Sequence, residues 1–322
     1  MERQQSADVL NRFRNVAVIG AGVIGASWTA LFLAHGLNVV VSDPREDAEA
    51  EVRDELAKVG PTLDSLGLPN TGLESRLRFE ADTARAVNGV DVIQENGPER
   101  LPFKQELWAK IETVCPRALL LSSSSSLTAT QQAALMKHPE RLLVGHPFNP
   151  PHLIPLVEVV PGEKTDQKAV EDAVAFYSAL GKVAKVIHKE IRSFVANRLQ
   201  GAIFRECVYL VKEGVVSVDE LDDIVTNSIG LRWAAGGPFQ SFHLAGGSGG
   251  ISHFFQQFAP GMRIAWKGFQ ETRVEPDDAT TRIIIDQVAA SYGRRPMEEL
   301  ERRRDRKQLA ILRALAAEDR DA

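Results

Sequence analysis

Two cysteines in 322 residues are too few for a disulfide framework, and Cys115 and Cys207 stand far apart in the chain. Neither has partners at metal-ligand spacing, so the sequence predicts two buried thiols in a reducing compartment and no bound metal. Positive charge is not in excess either, because 38 Lys and Arg against 43 Asp and Glu give a formal net charge of −5. That balance provides no basic surface for nucleic acid or for an anionic membrane.

Uninterrupted apolar runs are also missing. The longest apolar tract, residues 16–41, contains glycines at turn spacing and begins and ends in β-branched runs. It therefore indicates a strand, a helix and a second strand rather than a membrane span. The N-terminal segment "MERQQSADVLNRFRN" lacks the apolar core of a signal peptide. We expect a cytoplasmic protein that does not contact membranes.

Strand and helix patterns alternate through the first part of the chain. Strands are predicted at 16–19, 38–43, 89–95, 118–127, 141–146, 156–160 and 182–189, and helices at 23–35, 46–59, 101–114, 131–138 and 167–180. This alternation is typical of a doubly wound (Rossmann) parallel sheet in an α/β domain. From Ser193 onward the pattern is helical, beginning with 193–214 and 217–230. We place a Rossmann domain at residues 1–190 and an all-α domain at residues 191–322.

The segment "VIGAGVIG" follows the first predicted strand and opens the first predicted helix. It has the G-x-G-x-x-G pattern of a dinucleotide site, with candidate cofactor residues Gly20, Gly22, Val23, Ile24 and Gly25. Asp43 ends the second strand. A carboxylate there can accept hydrogen bonds from both ribose hydroxyl groups, and it repels a 2′-phosphate. NAD is therefore favoured over NADP, although Arg45 nearby keeps NADP open. The alternative is a glycine-rich turn that binds no ligand.

A histidine and a glutamate supply candidate proton-transfer chemistry. His146 ends a predicted strand, at the edge where ligands bind in doubly wound sheets, and histidine is a residue type suited to proton transfer. Glu158 lies in the next apolar strand, where a buried carboxylate is costly unless it is paired. Pairing the two residues satisfies both, because the carboxylate fixes the ring tautomer and stabilises the imidazolium. The alternative is a structural histidine.

The separated motifs "SSL", "GHPFNP", "LVEVV" and "FVANRL" resemble the 3-hydroxyacyl-CoA dehydrogenase family. The resemblance runs from Asn15 to about Phe258. It implies that His146 is the catalytic base and that Glu158 is its partner. It also implies that Ser125 and Asn197 contact the substrate oxygen or the nicotinamide ribose. The segment "QENGPERLPFK" looks like the next cofactor loop of that family, and its resemblance puts two further residues near the nicotinamide half of NAD, Glu99 and Lys104.

Two segments bear on the substrate. The region "REDAEAEVRDELAKVG" is net acidic, whereas the acyl-CoA members of the family resemble one another in carrying basic residues there. The segment 230–250 is dense in glycine and is expected to form a loop around a small closed pocket. Arg232 there can bind a carboxylate, and Trp233, Phe239 and Phe242 can form an aromatic wall for a quaternary ammonium group. The alternative for these aromatics is interdomain core.

The segment 230–250 is similar to the L-carnitine dehydrogenase branch of the family, and more distantly to the branch of gulonate dehydrogenase and lambda-crystallin. We therefore expect an NAD-dependent dehydrogenase of a small free L-3-hydroxy acid, with an L-carnitine-like substrate favoured. The alternatives are a 3-hydroxyacyl-CoA dehydrogenase, an L-gulonate 3-dehydrogenase, and a structural protein that only binds NAD. A homodimer formed through the helical domain is expected by analogy.

Overall fold

The computed structural model describes residues 2–272 and 274–321, and the chain divides into two compact units, Met1–Arg198 and Leu199–Ala322. The strands in the described residues are β1 (Asn15–Ile19), β2 (Asn38–Ser42), β3 (Leu77–Phe79), β4 (Val92–Glu95), β5 (Leu119–Ser122), β6 (Leu142–Pro147), β7 (Leu156–Pro161) and β8 (Val183–Val186). The helices of the first unit are α1 (Glu2–Arg12), α2 (Val23–Ala34), α3 (Ala48–Ser65), α4 (Thr83–Ala86), α5 (Leu101–Val114), α6 (Ala129–Gln132) and α7 (Gln167–Ala179). Helix α8 (Ala196–Lys212) begins at the end of this unit.

The first unit is built on one sheet with the order β3-β2-β1-β4-β5-β6-β7-β8, an eight-stranded sheet within the described residues. Strands β1 to β6 are parallel, and the order reverses beside β1, as in a doubly wound fold. Residues alternate between the two faces along each strand. In β1, Val16 and Val18 join one apolar cluster, while Ala17 and Ile19 join the cluster on the opposite face. The predicted Rossmann architecture is therefore confirmed.

One strand pair departs from the parallel arrangement. β6 and β7 are antiparallel, and β8 runs parallel to β7. The connection between β6 and β7 is residues 148–155, whereas a parallel crossover needs about a dozen residues or more. The chain therefore turns back directly. This hairpin sets His146 opposite Glu158 in the register of the sheet.

Several local elements differ from the sequence prediction. Strand β3 and helix α1 were not predicted, and α3 continues to Ser65 through Pro61. The helix predicted at 131–138 is only α6 followed by a short 3-10 turn. The helix predicted from Ser193 begins at Ala196, because Ser193 and Phe194 have positive φ angles of 65° and 50°. Two such residues in succession are incompatible with a right-handed helix.

The second unit is helical. Besides the rest of α8, its described helices are α9 (Val218–Thr226), α10 (Ile229–Ala235), α11 (Pro238–Ala245), α12 (Gly250–Glu271), α13 (Asp278–Ser291) and α14 (Met297–Asp321). A capping box starts α9, with the Ser217 hydroxyl accepting from the Glu220 N–H and the Glu220 side chain accepting from the Ser217 N–H. The loop expected at 230–250 is wrong, because most of this segment is α10 and α11. Gly236 and Gly237 only separate the two helices, and Pro238 starts the second one.

No helix within residues 2–272 and 274–321 is long and apolar enough to cross a membrane.

Candidate active site

The carboxyl ends of β1, β2, β4, β5 and β6 meet at one edge of the sheet. Candidate residues from the sequence follow β1, β2, β4 and β5 there, and His146 lies near the end of β6. The parallel pairing of β1, β2, β4, β5 and β6 brings these loops together although they are far apart in the chain. This edge is where doubly wound sheets bind ligands.

The turn after β1 is built for a dinucleotide phosphate. Gly20 has φ of +87°, and a Cβ on it would lie 2.8 Å from the Asn96 carbonyl oxygen. A Cβ on Gly25 would lie 1.9 Å from the Gly20 carbonyl oxygen. In contrast, a Cβ on Gly22 would meet nothing within 4 Å, so the space before this backbone is open. Val23 and Ile24 form the first turn of α2, whose N–H groups can face an anion in that space.

Asp43 follows β2 and is held beside this turn. Its Oδ2 accepts a hydrogen bond from the Ala21 N–H at 2.8 Å, and its Oδ1 accepts from the Arg45 N–H at 2.9 Å. Burial raises the pKa of Asp43, but the hydrogen bonds from Ala21 and Arg45 outweigh it and lower the pKa below its ordinary value. The side chain is therefore an anion at neutral pH, as recognition of ribose hydroxyls requires.

Lys104 was expected near the nicotinamide, and the structure buries it beneath the loop that follows β4. Its Nζ lies 2.7 and 2.8 Å from the two carboxylate oxygens of Glu95, and its side chain is 1% exposed. Glu95 also accepts from the Gly97 N–H at 2.7 Å and from the Ser122 hydroxyl at 2.8 Å. Lys104 thus supports the loop from below through Glu95.

Glu99 was expected in the same cofactor loop, and it organises the run of five serines. Its Oε1 accepts from the Ser124 hydroxyl at 2.5 Å, from the Ser126 N–H at 2.9 Å and from the Ser125 N–H at 3.1 Å. Burial raises the pKa of Glu99, but the bonds from Ser124 and Ser126 and the charge of Lys104 lower it overall. The serine run is therefore held in one conformation by a carboxylate.

His146 and Glu158 form a hydrogen-bonded pair. His146 Nδ1 lies 2.9 Å from Glu158 Oε2, and both residues are almost fully buried. The His146 ring packs edge-on against Phe148, with centroids 4.8 Å apart, and against Phe194 at 5.4 Å. A carboxylate acceptor keeps the proton on Nδ1, so that Nε2 retains its lone pair. Such a ring can accept a proton at Nε2.

Glu158 is fixed from its other side by the backbone before α8. Its Oε1 accepts from the Val195 and Ala196 N–H groups, both at 3.0 Å. The positive φ angles of Ser193 and Phe194 turn the chain so that these two donors face the carboxylate. Burial raises the pKa of Glu158, but the bonds from His146, Ala196 and Val195 outweigh burial and lower it.

Asn197 and Ser125 lie at the open side of the histidine. Asn197 Nδ2 is 3.5 Å from His146 Nε2 and donates to the Ser125 carbonyl oxygen at 3.2 Å. Ser125 is exposed, whereas Ser122 and Ser124 of the same serine run are buried. The structure therefore brings together His146, Glu158, Ser125 and Asn197.

The connection between β6 and β7 is fastened to neighbouring elements. Lys182 donates to the carbonyl oxygens of Pro151 and Ile154, the latter at 2.7 Å. The His152 N–H donates to the Ser27 hydroxyl of α2 at 3.0 Å, so the connection is also joined to the helix that follows the glycine turn. Burial lowers the pKa of Lys182 to about 7. These contacts restrict the hairpin that carries His146 and Glu158.

The four candidate substrate residues belong to the second unit. Arg232 and Trp233 lie on α10, and Phe239 and Phe242 lie on α11. Phe239 is 80% exposed, whereas Trp233 and Phe242 are 37% and 38% exposed. Phe242 packs against Phe254 of α12, with centroids 4.8 Å apart. The pocket expected from these residues stays a prediction.

Two buried charged residues that support the site, Glu95 and Lys182, were not predicted from the sequence. Glu95 had a usable signal, because an acid at the end of the apolar run "DVIQE" needs a partner for the same reason as Glu158. Lys182 had none, since its acceptors are backbone carbonyl groups of a distant connection.

In the described part of the chain, no group of three or more His, Cys, Asp or Glu side chains could hold a metal ion.

A phosphate-binding turn, a ribose-type acid and a carboxylate-bound histidine along one sheet edge define a nicotinamide-dependent dehydrogenase of the Rossmann class. Two family models cover most of the chain. The model described as "3-hydroxyacyl-CoA dehydrogenase, NAD binding domain" matches residues 15–191, and "3-hydroxyacyl-CoA dehydrogenase, C-terminal domain" matches residues 194–281. The chain belongs to the 3-hydroxyacyl-CoA dehydrogenase family, and it is an NAD-dependent oxidoreductase acting on CH–OH groups.

Similar proteins and structures agree with this assignment. The chain is 42% identical over 311 residues to an L-carnitine dehydrogenase of Pseudomonas aeruginosa, covering 95% of each chain. It is 40% identical over 311 residues to an L-carnitine dehydrogenase of Nocardiopsis dassonvillei, covering 95% of this chain and 93% of that one. Among solved structures, it is similar to 5-formyl-3-hydroxy-2-methylpyridine 4-carboxylic acid 5-dehydrogenase, an NAD+-dependent dismutase, with 29% identity and a TM-score of 0.75. That match covers 94% of this chain and 99% of the other.

Proposed function

We propose that this enzyme oxidises the 3-hydroxyl group of L-carnitine, or of a closely similar free L-3-hydroxy acid, with NAD as the hydride acceptor. The observation that carries the chemistry is the buried His146–Glu158 pair with Nε2 directed towards Asn197. The similarity to L-carnitine dehydrogenases over 95% of the chain supports the choice of substrate.

In this proposal His146 Nε2 removes the proton from the substrate hydroxyl group. The Glu158 carboxylate stabilises the imidazolium that results, because a charge-assisted hydrogen bond strengthens when the ring becomes positive. Ser125 and Asn197 donate hydrogen bonds to the substrate oxygen, which becomes negative as its proton leaves.

We propose that Gly20, Gly22, Val23, Ile24 and Gly25 hold the pyrophosphate of NAD and that Asp43 binds the adenosine ribose. The open space before Gly22 and the anionic state of Asp43 fit this cofactor. When bound, NAD supplies the hydride acceptor. Glu99 shapes the serine turn beside the nicotinamide half, and Lys104 supports the same loop through Glu95.

A free acid is favoured over a CoA thioester by the charges of α3. Arg45, just before this helix, is paired with Glu51 at 2.8 Å, and Arg53 within it is paired with Glu49 at 2.8 Å. These carboxylates neutralise the groups that could hold the phosphates of CoA, and further acids on the helix would repel those phosphates. The acidic helix therefore supports a substrate without CoA.

We propose that Arg232 binds the substrate carboxylate and that Trp233, Phe239 and Phe242 surround the quaternary ammonium group. Guanidinium binds carboxylate through two parallel hydrogen bonds, and a cation without N–H donors is attracted to aromatic faces. Arg232→Ala should raise the KM for L-carnitine by about 10- to 100-fold with a smaller change in kcat. Arg282→Ala, which removes an exposed arginine of the same unit, should leave KM unchanged; an unchanged KM in Arg232→Ala removes Arg232 from the site.

A substrate panel tests the proposal. Initial rates of NAD reduction are measured with L-carnitine, D-carnitine, L-3-hydroxybutyrate and L-gulonate, and NADH oxidation is measured with acetoacetyl-CoA. We expect kcat/KM to be highest for L-carnitine and D-carnitine to be inert. Turnover of acetoacetyl-CoA without turnover of any free acid would contradict the proposal. NAD binding without turnover of any compound would indicate a structural protein.

We also propose that the protein is a homodimer in the cytoplasm. Three large apolar side chains of α12 are more than half exposed in the single chain, Ile264, Trp266 and Phe269. Contiguous exposed apolar side chains mark protein–protein contacts, and Trp266 and Phe269 are three residues apart on α12 and therefore lie on one face of it. Light scattering at micromolar concentration should give a mass of two chains, and a single-chain mass would contradict the dimer.

A further inference from the structure

The first residues after β2 form a compact charge cluster, which we call the Arg45 cluster and which consists of Asp43, Arg45, Asp47 and Glu51. Arg45 Nε lies 3.1 Å from Asp43 Oδ1, and its Nη1 lies 2.8 Å from Glu51 Oε2 and 3.6 Å from Asp47 Oδ1. The hydrogen bonds that Arg45 donates to Glu51 and Asp43 raise the pKa of its guanidinium. One guanidinium is therefore shared among three carboxylates.

This position matters for the choice between NAD and NADP. In Rossmann domains an arginine near the end of the second strand can accommodate the 2′-phosphate of NADP. The N-terminus of a helix also attracts anions, and α3 begins at Ala48, three residues after this arginine. The chain therefore has both features that could bind a 2′-phosphate, although it uses NAD.

Both features are occupied by carboxylates. Arg45 is bound by Asp43, Glu51 and Asp47, and the first turn of α3 carries Glu51 as well as Glu49. With three carboxylates and one guanidinium, the Arg45 cluster has a net charge of −2. A 2′-phosphate arriving here would meet repulsion and would have to displace the partners of Arg45.

We propose that Asp47 and Glu51 are specificity-determining residues that exclude NADP by holding Arg45 away from the position of the 2′-phosphate. They act in addition to Asp43, whose carboxylate binds the ribose itself. The inference concerns cofactor choice and does not depend on the identity of the hydroxy acid.

The alternative is that the acids of α3 repel NADP only through their summed charge. In that case any two of them would contribute similarly and Arg45 would not be needed. Arg53 on the same helix makes a matched comparison possible, because it is bound by Glu49 at 2.8 Å and by Glu74 in the same manner.

The test measures the dissociation constants of NADH and NADPH by nucleotide fluorescence, using the full chain without substrate. The variants are Asp47→Asn/Glu51→Gln, the same pair with Arg45→Ala, and the control Glu49→Gln/Glu74→Gln. All five positions are exposed, so wild-type melting temperatures are expected. The control removes the same number of charges and frees Arg53 instead of Arg45.

We expect the first variant to bind NADPH about tenfold more tightly relative to NADH, as two fewer screened charges and an arginine released from two of its three carboxylates imply. Adding Arg45→Ala should abolish the gain, and the control should leave the ratio within about twofold. An unchanged ratio in the first variant overturns the proposal. A gain in NADPH affinity that persists after Arg45→Ala also overturns the proposal, and so does an equal gain in the control. Either result would show that NADP is repelled only by the summed charge of the acids. The titrations measure nucleotide binding without substrate. Their outcome therefore does not depend on whether the enzyme oxidises carnitine.

Discussion

Replacing Glu158 with glutamine changes one atom and should reverse the tautomer of His146. In the wild type, Oε2 accepts from His146 Nδ1, while Oε1 accepts from the Val195 and Ala196 N–H groups. The amide has only one oxygen. Since two backbone donors compete for it, the oxygen stays with them and the NH2 group faces Nδ1. Nδ1 must then accept, so the proton moves to Nε2 and occupies the lone pair that the proposed reaction uses.

The expected loss is large for catalysis and modest for stability. In the serine-protease triad, the same kind of tautomer reversal lowers kcat by about 10⁴-fold, and we expect about 10³- to 10⁴-fold here. Loss of charge-assisted hydrogen bonds should lower the free energy of unfolding by about 1.5–3 kcal/mol. Because the folded-state pKa of Glu158 is depressed, its contribution is present above the ordinary glutamate pKa and is lost as the pH falls through the folded value.

The assay is NADH formation with saturating NAD and L-carnitine, together with urea denaturation at neutral and acidic pH. Glu112→Gln is the matched control, because Glu112 is a buried carboxylate that accepts from the Lys137 and His138 N–H groups. The control should lose similar stability and keep its kcat. If Glu158→Gln retains more than about a tenth of the wild-type kcat, the proposed reversal of the His146 tautomer is wrong. Loss of activity to the same extent in Glu112→Gln would also contradict it.

Three further predictions concern the surrounding framework. Lys104→Met should lower the free energy of unfolding by about 3–5 kcal/mol because Glu95 is left buried without its cation. The double variant Glu95→Gln/Lys104→Met should recover most of this loss, and equal losses in the two variants would contradict the ion pair. Gly145→Ala should lower it by roughly 1–3 kcal/mol, since its Cβ would lie 2.0 Å from the Tyr177 hydroxyl; an unchanged melting temperature would contradict this contact. Lys182 binds fewer protons in the folded state than in the unfolded state above a pH of about 7, so stability should rise with pH from there towards 10.5, and Lys182→Met should remove that slope in denaturation series.

The sheet edge could be predicted from sequence because its residues follow strands with clear patterns. An apolar run typical of a strand precedes the glycines of the first turn, Asp43 and His146. Parallel strands bring the ends of these runs together. The hydrogen bond between His146 and Glu158 was predicted from the cost of a buried carboxylate and is present. Its geometry was not predicted, because the sequence was interpreted as a parallel sheet. Only the short connection 148–155 shows that the two residues face each other in an antiparallel pair.

The support beneath the site depends on contacts between distant segments. Glu95 is the register neighbour of Ser122, and this pairing sets the serine run against the loop after β4. A run of serines in a sequence indicates a polar turn and does not show which hydroxyl group is buried. The conformation before α8 was equally hidden, since Ser193 and Phe194 are not residue types that favour positive φ.

In the second unit, helix propensity outweighed the glycine signals. The sequence 230–250 was interpreted as a loop because it contains many glycines, yet "IGLRWAA" forms a helix that ends at a glycine pair, and "PFQSFHLA" forms a helix between two glycine pairs. Glycine within such a segment ends a helix as readily as it makes a loop.

In the proposed reaction, His146 serves as the base in NAD-dependent oxidation of L-carnitine. The most direct test of this role compares kcat/KM for L-carnitine between the wild type and His146→Gln, with the NADH dissociation constant measured in both. We predict efficient turnover by the wild type, a loss of about 10²- to 10⁴-fold in the variant, and the same NADH affinity in both. A kcat/KM of His146→Gln within tenfold of the wild-type value would show that His146 is not the base.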